Sequence, residues 1–169
     1  MKKNNIIFNQ IEPVENLSTV LKDTFDVELD LSGGWGYDNN SAVVVNHLDI
    51  PIDQFLHMFA TIRATIEMNL MQDEKSRYGG IKVTFLEGEQ FEVENKIYDH
   101  ITFEITAMNE KKYAEFIQEY KDNYGKNEDF DMDDHFKRRT ENTITLKSDY
   151  WFCGLEKYYY DSQTQESIV

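Results

Sequence analysis

The fold of this chain is decided by residues 51–71, which read PIDQFLHMFATIRATIEMNLM. Apolar side chains recur there at helical spacing and form one continuous stripe. Pro51 and Asp53 suit the first turn of a helix, because proline needs no N–H donor there and a carboxylate complements the helix dipole. We therefore predict one long helix that packs on a sheet. Its apolar stripe comprises Ile52, Phe55, Leu56, Phe59, Ile62, Ile66 and Leu70.

The elements before this helix are shorter. Residues 6–8 predict a first short strand, and residues 13–24 predict a helix with Pro13 in its first turn. Residues 27–31 alternate between apolar and polar side chains, which is typical of a half-buried strand. Residues 42–45 are apolar on both faces and predict a central strand. The sheet therefore begins before the long helix.

Three closely spaced strands are predicted after the long helix. Residues 81–85 and 91–93 both alternate, and their aromatic and aliphatic members are expected to point inward. Gly88 lies between them and predicts a tight turn. The third strand covers residues 97–105, and strands this close in sequence most simply form an antiparallel meander.

The last third of the chain adds helices and one more strand. Asn109 is a plausible N-cap for a helix that ends before Gly125. Residues 128–139 are acidic first and basic last, which complements the dipole of a short helix. Residues 144–152 predict a long final strand, and the polar residues 161–169 are expected to fray.

These elements predict a single α+β domain over residues 1–169, because no linker composition or internal repeat divides the chain. The expected architecture is a mainly antiparallel sheet of about five to seven strands, with about two to four helices packed mostly on one face.

Charge is the most distinctive property of the composition. The 169 residues include 32 acidic and 17 basic side chains, which gives a net charge of −15. A content of 40% hydrophobic and 14% aromatic residues argues against disorder. Such a charge repels nucleic acid and anionic membranes and attracts basic partners. The alternative interpretation is a solvated acidic surface that aids solubility.

Cys153 is the only cysteine, so no intrachain disulfide can form. Together with the absence of a recognisable signal sequence, this favours a cytoplasmic protein. No stretch of the sequence approaches the length of a membrane span, so we expect no membrane association.

Residues 33–40, GGWGYDNN, form the best candidate recognition loop. Trp35 and Tyr37 would supply aromatic contacts and Asp38 a polar contact, since binding residues often lie on loops. The alternative is that the tryptophan folds back onto the core. The glycine spacing excludes a dinucleotide-binding fingerprint.

Two pairs of carboxylates complete the candidate binding residues. Glu28 and Asp30 lie two residues apart on one predicted strand, and Glu92 and Glu94 lie two apart on another. The members of each pair should therefore point to the same side of the sheet. If both pairs converge, they form an acidic face for a basic partner. Solvated faces of antiparallel strands show the same pattern.

No metal site or cofactor is expected. Asp129, Asp131 and Asp133 have the first three spacings of a calcium loop, but Asp134 replaces the required glycine and Thr140 the bidentate glutamate. The four histidines form no dense ligand pattern. An acidic helix start is the simpler interpretation of the aspartates.

The catalytic signals are weak, and no catalytic residue can be assigned. Tyr98, His100 and Glu104 share one face of a predicted strand and would be the first residues to examine in an enzyme. Cys153 would need a histidine brought close by the fold to act as a nucleophile. A buried, inert thiol is the simpler interpretation.

The sequence therefore favours a non-enzymatic protein that occupies a basic surface of a protein partner, as inhibitors, immunity proteins and nucleic-acid mimics do. A small enzyme or small-ligand-binding protein, with a site between sheet and helices, is the first alternative. A structural subunit of an assembly is the second. The sequence leaves the oligomeric state open.

Overall fold

A computed structural model of the chain describes residues 6–159, so the tail expected at residues 161–169 lies outside the described residues. Within them the chain forms a five-stranded sheet in the order β1-β2-β5-β4-β3. Every neighbouring pair is antiparallel except β2 and β5. The strands are β1 (Asp30–Gly33), β2 (Val43–His47), β3 (Tyr78–Val93), β4 (Lys96–Asn109) and β5 (Thr143–Cys153).

Together with this sheet, the helices confirm the predicted α+β class. They are α1 (Leu17–Phe25), α2 (Ile52–Thr65), α3 (Glu110–Asn123) and α4 (Met132–Glu141). Helix α2 continues into a π-helical stretch, Ile66–Leu70, and a 3-10 turn spans Glu74–Ser76. Within the described chain, no helix is both long and apolar enough to cross a membrane.

Helix α2 packs on the central strand of the sheet, as predicted. The rings of Phe55 and Phe59 each meet that of Phe152 on β5 edge to face, with centroids 5.7 Å apart. Leu70 departs from the predicted stripe, since its side chain is half exposed. The π-helical stretch has more residues per turn than an α-helix, so it changes the spacing of the stripe near its end.

The strand predicted at residues 6–8 is absent, because this segment is irregular and pairs with no strand in the described chain. Phe8 instead meets the ring of Tyr78 edge-on, with centroids 5.6 Å apart. A run of three apolar residues indicates burial, and it does not distinguish a strand from a segment held only by side-chain packing.

Helix α1 begins later than predicted. Asn16 is its N-cap, and the side chain accepts a hydrogen bond from the Thr19 N–H, so Pro13 lies before the helix. Asp26 adopts a left-handed conformation, with φ of 55°, and ends the helix. Strand β1 then begins only at Asp30, which shortens the strand predicted at residues 27–31.

Strand β3 is one strand of 16 residues, and not two strands joined at Gly88. A bulge places Leu86 between Phe85 and Glu87, which pair with consecutive residues of β4. A single inserted residue exchanges the two faces of a strand, because side chains alternate with a period of two. Phe91 and Val93 are therefore exposed on the face opposite to the core, where an inward orientation was predicted.

The reversal of the chain occurs beyond the predicted turn, at Glu94 and Asn95. These residues have φ of 51° and 65°, and they join β3 directly to β4. Two left-handed residues in succession form the tight turn that best matches the twist of a hairpin. β3 and β4 thus form a long hairpin.

The predicted third strand, residues 97–105, is present as β4, and the predicted meander reduces to the hairpin of β3 and β4 because its first two strands are one. After β4 the chain forms α3 and α4, and β5 then returns to pair with β4 on one side and β2 on the other. Asn109 caps α3 as predicted, since its side chain accepts hydrogen bonds from the N–H groups of Lys111 and Lys112. The sheet is therefore mixed, with a single parallel pair among its described strands.

The packing of α2 predicts the cost of truncating its central aromatic residue. We expect Phe59→Ala to lower the free energy of unfolding by about 3–5 kcal/mol, because it removes buried apolar surface and leaves a cavity. Urea unfolding followed by circular dichroism measures this change. Gln54→Ala, at an exposed position of the same helix, is the control and should cost less than about 0.5 kcal/mol. Equal effects of the two substitutions would show that the wrong face of α2 has been assigned to the core.

Candidate functional site

The loop at residues 33–40 folds against the core. Trp35 is only 2% exposed. Its ring centroid lies 6.2 Å from that of Phe59, and its Nε1 donates a hydrogen bond to the carbonyl oxygen of Glu12 at 3.3 Å. The tryptophan therefore follows the second interpretation of the loop, and it is not accessible for a surface contact.

Tyr37 and Asp38 hold this loop in shape. The Tyr37 hydroxyl accepts a hydrogen bond from the Ile11 N–H at 2.8 Å and donates one to Glu67 Oε2 at 3.1 Å. Burial raises the pKa of the Tyr37 hydroxyl above its ordinary value. Asp38 Oδ1 accepts hydrogen bonds from the Ser41 N–H at 2.7 Å and from the Ser41 hydroxyl at 3.0 Å. Both predicted contact residues are thus used within the fold.

The core contains a charged residue that the sequence reasoning missed. Arg63 of α2 is 2% exposed. Its Nη1 donates to the carbonyl oxygens of Trp35 and Gly36, both at 3.2 Å. Its Nη2 donates to the carbonyl oxygen of Asp149 at 2.6 Å and to the Ser148 hydroxyl at 2.9 Å. The arginine thereby joins α2, the loop and β5.

Aromatic rings and a carboxylate complete the surroundings of Arg63. The guanidinium carbon lies 3.5 Å from the ring centroid of Tyr150 and 4.5 Å from that of Tyr37. Nε lies 3.4 Å from Glu67 Oε1. Burial raises the pKa of the Glu67 carboxyl, although the arginine opposes this shift. The guanidinium thus has the Glu67 carboxyl as an ion-pair partner, while its buried Nε has no hydrogen-bond partner among the described residues.

A cavity of about 380 Å³ adjoins this cluster, between α2 and the sheet. It corresponds in position to the site expected for a small-ligand-binding protein. Its polar lining includes Tyr37, Arg63 and Glu67, and its apolar lining includes Phe8, Met68, Ile105 and Leu146.

The two predicted carboxylate pairs lie at opposite edges of the sheet. Asp30 belongs to β1, and Glu28 just before it forms an ion pair with Lys22 at 3.0 Å. Glu92 belongs to β3, and Glu94 to the turn that follows. Four strand spacings separate β1 from β3, a distance of about 19 Å. The structure therefore does not unite these pairs in one face.

The distal half of β3 gathers acidic and apolar side chains on a single sheet edge. We call residues 85–94 the acidic edge. Its glutamates take part in none of the ion pairs found among residues 6–159. Four exposed large hydrophobic residues are interspersed with them, and Phe85 is 55% exposed. The glutamates are Glu87, Glu89, Glu92 and Glu94, and the hydrophobic residues are Phe85, Leu86, Phe91 and Val93.

The proposed enzymatic trio is not arranged as a catalytic site. The His100 ring stacks on that of Trp151 at 4.5 Å, and its Nε2 lies 3.1 Å from Asp149 Oδ1. Phe91 extends this stack, with its ring 5.6 Å from that of Trp151. Glu104 pairs in register with Lys147 of β5, four residues along β4 from the stacked His100. The rings of Phe91, Trp151 and His100 form a row on the face of the sheet opposite to the core, and the row begins at the acidic edge.

The remaining candidates have structural roles. Asp131 is the N-cap of α4, and its side chain accepts a hydrogen bond from the Asp134 N–H at 3.0 Å. The acidic run is thus a helix start.

No group of three possible metal ligands occurs among residues 6–159. Burial raises the pKa of the Cys153 thiol, which opposes the formation of a nucleophilic thiolate.

A second charged residue inside the structure lies on the hairpin. Asp99 of β4 is 4% exposed, and its Oδ2 accepts hydrogen bonds from the Tyr159 hydroxyl at 2.9 Å and from Gln90 Nε2 at 3.4 Å. Burial raises the pKa of the Asp99 carboxyl, and the negative charge of Glu156 adds to this shift. A signal was present in the sequence, since position 99 falls on the inward face that includes Ile101.

Comparisons with protein-family models, with curated proteins and with solved structures find no match for this chain. The candidate sites therefore rest on geometry and chemistry alone.

The buried arginine predicts that its replacement alone destabilises the fold more than its replacement together with that of Glu67. Arg63→Met should lower the free energy of unfolding by about 3–5 kcal/mol, because it removes the counter-charge of the Glu67 carboxyl and one hydrogen-bond donor from each of three carbonyl oxygens. Adding Glu67→Gln should restore part of the loss, since it removes the uncompensated carboxylate. Urea unfolding of both variants tests this, with Lys121→Met at an exposed position as the control. No recovery in the double variant would contradict the role of the ion pair.

Asp99 predicts a pH dependence of stability. Because its pKa is raised in the folded state, the folded chain holds this proton more tightly than the unfolded chain. The free energy of unfolding that this proton contributes is present below the pKa of the carboxyl in the unfolded chain, about 4. It is lost as pH rises through the pKa of the folded chain. Asp99→Asn cannot ionise, so its stability relative to the unsubstituted chain should increase between pH 4 and pH 8. Parallel unfolding curves measure the difference, and the exposed Asp73→Asn should show no such trend.

Proposed function

We propose that this chain is a binding protein whose acidic edge occupies a basic, extended segment of a protein partner. The observation that carries the proposal is the composition of one sheet edge, where four glutamates are interspersed with four exposed hydrophobic residues. β3 pairs with β4 on one side and has no strand on its other side among the described residues. Such an edge can accept an additional strand through main-chain hydrogen bonds.

Charge selects the strand that can be added. A second copy of the acidic edge would place glutamates opposite glutamates, which is unfavourable. A strand rich in lysine or arginine would place opposite charges together. The net charge of −15 adds long-range attraction for a basic partner and speeds the encounter. These two effects support a heterologous, basic partner over self-association.

The exposed hydrophobic residues would supply binding free energy that charge alone does not. Exposed ion pairs contribute little free energy, and salt screens them. Phe85 and Phe91 are partly exposed aromatic residues on the acidic edge, and buried aromatic contacts dominate the affinity of many interfaces. The glutamates would then set the rate and selectivity of binding, and the apolar residues would set its lifetime.

Affinity capture with matched charge variants tests the proposal. The edge variant is Glu87→Lys, Glu92→Lys and Glu94→Lys, and the control is Glu74→Lys, Glu128→Lys and Glu141→Lys at exposed positions elsewhere. Both variants change the total charge equally. The unsubstituted chain and the control should retain a basic protein from native extract at about 50 mM salt and lose much of it at about 500 mM. The edge variant should retain little at either concentration.

A defined peptide then tests the edge directly. The probe is an extended peptide of about ten residues that alternates lysine with valine, and calorimetry measures its dissociation constant. We expect the edge variant to bind at least about tenfold more weakly than the control. Equal weakening in both variants would show that net charge, and not the acidic edge, is responsible.

The cavity beside Arg63 supports a second candidate function, the binding of a small ligand. Polar groups from α2 and the loop converge there beside apolar walls, as in many ligand sites. However, both Nη atoms of Arg63 already donate hydrogen bonds within the fold. Native mass spectrometry of the purified chain tests this function. A bound ligand would appear as extra mass that is lost on denaturation.

A further inference from the structure

Gly88 lies in the middle of β3 without a backbone reason for glycine. Its φ is not among the positive values of the chain, so any residue can adopt its conformation. A Cβ at this position would meet only side-chain atoms of Ile101 and Phe85, at 3.7 Å or more, which is ordinary contact. Glycine in the interior of a strand is destabilising and often marks a place that another group approaches closely. The missing side chain leaves room for a Cβ in contact with Ile101 and Phe85.

That space is part of a recess of about 390 Å³ on the hairpin. Aromatic rings and an aliphatic side chain form its walls, and a buried carboxyl group belongs to its lining. No lysine or arginine of the described chain lines it. The lining residues are Phe85, Gly88, Glu89, Gln90, Asp99, Ile101 and Tyr159.

The carboxyl group of this recess is incompletely satisfied. Asp99 Oδ1 is buried and has no hydrogen-bond partner among the described residues. Oε2 of Glu156 is also buried without such a partner, and the negative charge of Glu156 bears on Asp99. Buried carboxylates are costly without a counter-charge, and in most proteins a cation or several donors compensate them. The recess therefore lacks a positive group.

We propose that this recess receives the guanidinium group of an arginine side chain carried by the basic partner, an inference that rests on the proposed function. A guanidinium offers five donors in a plane, binds carboxylates with two hydrogen bonds, and is less strongly hydrated than an ammonium. It also stacks on aromatic rings, and Phe85 and Tyr159 supply such rings in the wall. The donors match the buried Asp99 carboxyl, and the planar face matches the aromatic rings of the wall.

The position of the recess agrees with strand addition at the acidic edge. Phe85, Gly88, Glu89 and Gln90 belong to both features. In an added strand, alternate side chains point to the same face of the sheet as Gly88 and Asp99. One arginine at such a position would fix the register of the partner strand.

A small arginine derivative tests the recess independently of any partner. The probe is Nα-acetyl-arginine amide, added at millimolar concentration to the ¹⁵N-labelled full chain. We expect amide shifts at Gly88, Gln90 and Tyr159, and none with the citrulline analogue, which has the same shape and no charge. Asp99→Asn and Gly88→Val should abolish the shifts, while Asp73→Asn should retain them. The dispersion of each spectrum shows that the variant is folded. The absence of shifts in the unsubstituted chain, or shifts that persist in both recess variants, would overturn the inference.

A peptide series separates this inference from the proposed function. The lysine–valine peptide is compared with versions that carry one central arginine or citrulline. We expect arginine to bind at least about tenfold more tightly than citrulline, and Asp99→Asn to remove the difference. Binding that depends on the edge glutamates but ignores this exchange would leave the edge function intact and refute the recess. Arginine-amide shifts together with peptide binding that ignores the edge variant would refute the edge function and leave the recess as a guanidinium site.

Discussion

The structure depends on one buried guanidinium. Arg63 donates hydrogen bonds to the loop at residues 35–36 and to β5 at residues 148–149, segments that are far apart in the sequence. A guanidinium that loses its partners inside a core is strongly destabilising. Arg63 thereby fixes the loop carbonyls and β5 to α2, beside the cavity that this residue also lines.

Elements with a single strong periodicity were predictable from the sequence. α2, β4 and the cap of α3 at Asn109 follow from local signals, and the structure shows them where expected. The distal half of β3 was not predictable, because a bulge at Leu86 leaves no mark on the alternating pattern that it divides. The parallel pairing of β2 with β5 was also out of reach, since it depends on long-range packing. In the candidate site, Arg63 and Asp99 lie at positions where the apolar periodicity predicts a hydrophobic residue. The sequence pattern therefore did not identify either residue.

The net negative charge of this chain does not by itself place its acidic side chains on one surface. The residues chosen from the sequence lie at both edges of the sheet. Near β1, Glu28 pairs with Lys22, and Asp30 Oδ1 accepts a hydrogen bond from Asn46 Nδ2. The edge formed by β3 differs because its glutamates are interspersed with exposed hydrophobic residues. Like charges along a free strand oppose pairing with a second copy. Under the proposed function, the same charges would favour a strand of opposite charge.

The bulge at Leu86 makes the two halves of β3 independent of each other. The half before the bulge is positioned by its pairing with β4, where Val83 lies opposite Ile105 and Phe85 opposite Phe103. Gain or loss of one residue at this point would exchange the two faces of the remaining hairpin arm. The arm would then present new side chains to a partner while the core kept its composition. Binding preference in such a fold can thus diverge through chain length alone, without any change of residue type.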